Sequence, residues 1–106
     1  MLEGLLYTCV SRGETEALVR LLPESPVYAA HFPGYPITPG VCILQMALEC
    51  MGVRLVGAKD LKFTTPVLPS AGELRFAWTL SPDGTAQVNV FLKDQSLCAR
   101  MSLSVQ

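Results

Sequence analysis

Between Val41 and Met51 the chain reads VCILQMALECM, apolar at every position except Gln45 and Glu49. A helix that is apolar on nearly all sides has to be buried on nearly all sides, and this limits the architecture to one in which other elements surround it. Gln45 and Glu49 are four residues apart, so they share one stripe and form a single polar rail. Upstream lies HFPGYPITPG, residues 31 to 40, which holds the only histidine of the chain. Pro33, Pro36 and Pro39 bias the residues before them away from the α region. The spacing therefore predicts a stiff, extended loop as far as Thr38, with Thr38 capping a helix that Pro39 opens. Gly52 is the expected stop after Met51.

The rest of the chain supplies strands. Leu2 to Val10 and Thr15 to Leu22 are apolar-rich runs around Ser-Arg-Gly-Glu, which predicts a hairpin with Gly13 as its left-handed residue. Pro23 and Pro26 end the second run, and Val27 to Ala30 is one turn of helix at most. After Gly52, Val53 to Ala58 reads as a connector and Lys59 to Thr65 as a strand, broken by Pro66 and Pro69. Glu73 to Leu80 alternates, with Leu74, Phe76, Trp78 and Leu80 on one face, and Ser-Pro-Asp-Gly follows as a tight turn. Ala86 to Leu92 answers it, and Leu97 to Val105 closes the chain after a turn at Lys93 to Ser96. The expectation is an α+β domain over residues 1–106, about six antiparallel strands wrapped around one central helix, the geometry of a hotdog fold. One side of such a helix stays open and an edge strand lacks a partner, so a homodimer or an oligomer of dimers is expected.

Composition narrows the function. Half the residues are hydrophobic and the formal net charge is −1, which argues against nucleic acid or an anionic membrane surface as partner. No apolar run approaches the roughly 18 residues of a membrane span, and MLEGLLYT has no basic lead of a signal peptide, so a cytoplasmic location is expected. Cys9, Cys42, Cys50 and Cys98 are scattered without a CxxC, so no metal and no cofactor are expected and the thiols read as small core residues. Cys42 is the exception in position, near a helix start where a thiolate would be stabilised. Arg54, Lys59 and Lys62 read as solvated charges.

His31-Phe-Pro-Gly-Tyr-Pro-Ile-Thr-Pro-Gly-Val41 resembles the signature loop of the β-hydroxyacyl-(acyl carrier protein) dehydratases, H-F-P-G-x-P-x-x-P-G-V followed four residues later by Glu or Asp. Lys62-Phe-Thr-Thr-Pro-Val-Leu-Pro69 is similar to that family's later F-x-x-P-V-x-P strand. The resemblance implies a hotdog enzyme that eliminates water from a 3-hydroxyacyl thioester, with an acyl carrier protein or acyl-CoA thioester as partner. It assigns His31 as the base that takes the C2 proton, and it places a carboxylate of the other subunit at the departing C3 hydroxyl. Gly40 and Val41 would direct backbone N–H groups at the enolate oxygen, with Gly40 small enough for the thioester to approach. Phe32, Tyr35, Val41 and Leu44 would line the acyl channel.

The departure is at position 45, where Gln stands in place of the acid. A carboxamide hydrogen-bonds a hydroxyl but releases no proton at neutral pH. Losing an acid–base partner typically costs ~10²–10⁴ in rate. Glu49, one turn further along the rail, is the other candidate for the catalytic acid, and both residues could equally be hydrogen-bonding props. Three readings follow: a dehydratase, full or weakened; a hotdog thioesterase; and a non-catalytic acyl-binding subunit of a heteromeric dehydratase.

Overall fold

The computed structural model describes residues 1–30 and 34–106. Among these, six strands form a single antiparallel sheet: β1 (Tyr7–Arg12), β2 (Glu16–Leu21), β3 (Leu55–Phe63), β4 (Glu73–Leu80), β5 (Thr85–Leu92) and β6 (Leu97–Val105). Their order across the sheet is β1-β2-β4-β5-β6-β3. A short helix α1 (Pro26–Ala30) and the main helix α2 (Gly40–Met51) lie between β2 and β3. The sheet closes over α2 as a hotdog fold. Ile43, Met46, Ala47 and Cys50 pack into one core with Leu74, Phe76, Val88, Met101 and Leu103.

Alternation governs the meander. Along β4, Leu74, Phe76 and Trp78 are buried while their neighbours are not, and β5 does the same with Ala86, Val88 and Val90. Leu80 departs from this pattern: it is the last residue of β4 and is exposed. The Ser-Pro-Asp-Gly turn forms as expected, with Gly84 at φ 86° and the Asp83 carboxylate accepting from the Thr85 N–H at 3.0 Å.

α2 ends where expected. Gly52 takes φ 69° and its N–H donates to the Leu48 carbonyl at 2.9 Å, an orphan acceptor that the left-handed residue lets the chain reach. Its start differs from expectation. Pro39 is the cap residue and no side chain caps the helix. The Thr38 hydroxyl is buried and lies 2.8 Å from the Tyr28 hydroxyl, so it ties the loop to α1.

Three further elements correct the sequence reading. The first strand begins only at Tyr7, because residues 2–6 fold back as a turn in which the Leu5 and Leu6 N–H groups donate to the Leu2 carbonyl at 3.0 and 2.8 Å. Gly13 is not left-handed; the β1–β2 turn closes through its N–H to the Glu16 carbonyl at 2.7 Å. Residues 55–58 are strand, not connector. Pairing of β3 with β6 slips between Leu55 and Gly57 and again between Ala58 and Asp60, and these two bulges erase the period of two that identifies a strand in sequence.

Candidate functional site

The two motif segments meet at the start of α2. The Thr38 N–H donates to the Val67 carbonyl at 2.7 Å, joining the proline-rich loop to the Phe63–Pro69 segment. The Phe63 ring packs against Gly40, where a Cβ would come within 2.9 Å of Cε2. Gly40 is therefore required first by Phe63, and its smallness serves this packing inside the chain. A cleft of about 250 Å³ opens beside the contact, lined by Ile37, Gly40, Ile43, Phe63, Pro66 and Val67. Among the described residues, neither the Gly40 nor the Val41 N–H meets an acceptor, as the first turn of a helix leaves its donors free.

The open side of α2 carries Val41, 72% exposed, and Gln45, with Leu44 half-buried between them. Tyr35, 63% exposed, stands apart from these residues in an apolar groove of about 430 Å³ with Pro23, Pro36, Leu68 and Pro69. His31 and Phe32 lie outside the described residues. Within one chain, Gln45 lines a separate groove of about 440 Å³ with Met1, Leu48, Glu49, Val53 and Leu55. The single subunit thus brings Gln45 and Glu49 together and leaves the Gly40 cleft on another side of the helix.

Glu49 is a four-fold acceptor. Its Oε2 takes the Leu2 N–H at 2.8 Å and Gln45 Nε2 at 2.9 Å, and its Oε1 takes the Tyr7 hydroxyl at 2.8 Å and the Glu3 N–H at 3.1 Å. Burial pushes the carboxyl up, but hydrogen bonds from Leu2, Gln45, Tyr7 and Glu3 outweigh it, and the net direction is down. Burial, and then the bond to Glu49, push the Tyr7 phenol far above its ordinary range, so it stays a donor. Tyr7 is the residue that sequence reasoning missed. It is an ordinary core position in an apolar strand, and nothing local marks a partner on α2.

Cys42 does not gain from its place near the helix start, since burial pushes its thiol up. Burial also holds Cys50 at about 12 and Cys98 at about 11. Among the described residues there is no cluster of ligating side chains that could hold a metal ion, and no helix long and apolar enough to cross a membrane.

Fold and site together define the class: a hotdog-fold protein whose central helix opens at a proline-rich loop and presents a polar rail on its uncovered side. The chain belongs to the ApeI-like family, described as ApeI dehydratase, whose family model matches residues 9–104. It is 25% identical over 81 residues to the 3-hydroxyacyl-(acyl-carrier-protein) dehydratase FabZ of Clostridium perfringens (strain SM101 / Type A), covering 76% of this chain and 58% of that protein. The chain therefore spans little more than half the length of that relative. Among solved structures it is similar to the dehydratase heterocomplex ApeI:P from Xenorhabdus doucetiae, with TM-score 0.71 and 18% identity over 93% of this chain and 96% of that one. It also resembles the PaaI protein of the E. coli phenylacetic acid degradation operon, with TM-score 0.64 and 13% identity over 99% and 86% of the two chains. At these identities both likenesses concern the fold.

Proposed function

We propose that this chain is a subunit of an acyl-thioester dehydratase, binding 3-hydroxyacyl thioesters of an acyl carrier protein or coenzyme A between two hotdog domains. The observation that carries this reading is the unfinished side of α2. Val41 and Gln45 are the exposed residues of α2, whose others are buried or half-buried. Beside them β3 is exposed along nearly its whole length with one edge unpaired. A second hotdog subunit laid against β3 pairs that edge and covers the helix, and the seam between the subunits becomes an apolar channel with the free N–H groups of Gly40 and Val41 at one end. In this reading His31 of one subunit takes the C2 proton, and position 45 of the other faces the C3 hydroxyl.

Gln45 supports a weakened or shared activity. Glu49 does not replace the missing acid, because four donors hold it ionised. The same observation favours a second reading, in which the chain pairs with a different hotdog subunit that supplies the carboxylate. The deciding experiment incubates the purified protein with a 3-hydroxyacyl thioester and follows enoyl absorbance and free thiol together. Enoyl formation without thiol release supports the dehydratase. Thiol release alone would make it a thioesterase. Neither, with retained ligand binding, leaves the non-catalytic subunit.

A further inference from the structure

The bond between Gln45 and Glu49 has a direction. An ionised carboxylate offers acceptor sites only, about four of them, and in Glu49 all are taken. Three of the donors, the Leu2 and Glu3 N–H groups and the hydroxyl of buried Tyr7, come from the N-terminal turn and β1. Only the Nε2 end of the Gln45 amide can therefore face Glu49. The Oε1 of the same amide is then turned off Glu49; no donor among the described residues meets it, and Gln45 lines the exposed groove.

We propose that Glu49 is a positioning residue that fixes the Gln45 amide with Oε1 outward, so that position 45 recognises a ligand group that donates a hydrogen bond. With α2 as one wall of the acyl-thioester site, on which this inference rests, that group is a hydroxyl of the acyl chain. An outward carbonyl oxygen attracts a hydroxyl and repels a keto oxygen at the same carbon. It also supplies no proton to a departing hydroxyl. The site then holds the hydroxyacyl chain selectively while leaving elimination to another group.

The test compares the affinities of 3-hydroxyacyl and 3-oxoacyl pantetheine amides of equal chain length. An amide in place of the thioester lowers the acidity at C2, so the hydroxyl ligand survives the measurement. The wild type is expected to bind the hydroxyl form about three- to tenfold more tightly, the value of one neutral hydrogen bond. Gln45→Leu, at an exposed position, should bring the two within twofold, and Glu49→Met should do the same by releasing the amide. Tyr7→Phe removes a donor to Glu49 without touching Gln45, and should lower the melting temperature while keeping the preference. A wild-type preference for the oxo ligand, or a folded Glu49→Met that keeps the wild-type ratio, overturns the proposal.

A ligand-free measurement separates it from the site reading. Gln45 Nε2 and the Leu2 N–H donate to the same oxygen, so an NOE between their protons is expected. If neither ligand binds, the acyl-site reading and the ligand assignment fall together; the NOE then decides the amide orientation alone, and its absence overturns that as well.

Discussion

Gln45 Nε2 donates to Glu49 Oε2 at 2.9 Å, one helical turn apart on the uncovered side of α2. In the proposed dehydratase site the pair places an amide where water elimination calls for an acid, directly beside a carboxylate that three other donors keep ionised. This relationship sets the outcome of the most informative substitution.

Gln45→Glu is expected to raise elimination of a 3-hydroxyacyl thioester by something within the ~10²–10⁴ assigned to a positioned acid–base group. The introduced carboxyl meets an ionised Glu49, and the like charge raises its pKa above the ordinary carboxylate range, which enlarges its protonated fraction. Turnover should fall as pH rises through that value. Enoyl absorbance across a pH series reads both effects, and an unchanged rate would show that position 45 takes no part in proton transfer.

Glu49 also anchors the N-terminal turn, and its contribution has a pH sign. A carboxyl whose folded pKa lies below its unfolded value stabilises fully above the unfolded value, about 4.3, and loses that contribution as pH falls through the folded one. Urea unfolding should find Glu49→Gln destabilised near neutral pH by about 1–2 kcal/mol, a hydrogen-bond estimate reduced for partial exposure. The gap to wild type should narrow below pH 4. Asp83 and Asp94, also held low by turn hydrogen bonds, are the same in both proteins and cancel.

Gly40→Ala should cost about 1–3 kcal/mol, because the new Cβ enters the Phe63 ring and overpacks the contact. The Phe63 side chain is partly exposed, which places the cost toward the lower end. In the Phe63→Leu background the penalty should shrink, a coupling that a double-mutant cycle in urea measures.

The exposed edge of β3 is expected to be a subunit interface. Val56, 65% exposed, and Leu61 are apolar on an unpaired edge. Sedimentation at micromolar concentration should show at least a dimer, and Leu61→Lys should shift the population toward monomer. A wild-type monomer under those conditions would remove this interface.

Alkylation at pH 8 should spare Cys50 and Cys98, buried with thiols held at about 12 and 11. Mass spectrometry should find modification first on partly exposed Cys9, more slowly on Cys42, whose thiol burial pushes up, and on Cys50 and Cys98 only in denaturant. Rapid native labelling of Cys50 would mean that α2 opens readily.

What the sequence by itself determined is what has a short period. The apolar run of α2, its stop at Gly52, the polar rail of Gln45 and Glu49, and the alternation of β4, β5 and β6 each follow from spacings of two to four residues, which backbone geometry fixes locally. The motif segments at Gly40 and Phe63 were also legible, because their prolines and glycines constrain the chain wherever it goes. Only the tertiary structure decided the rest. β3 hides its period behind two bulges that exist to match β6. Thr38 turns from the helix it could cap to the Tyr28 hydroxyl, because the buried hydroxyl needs a partner there. Glu49 becomes an anchor only when folding brings Leu2, Glu3 and Tyr7 to it across 47, 46 and 42 residues of chain. No local pattern encodes a partner at that separation, since the closure that joins them is made by the packing of the whole sheet on α2.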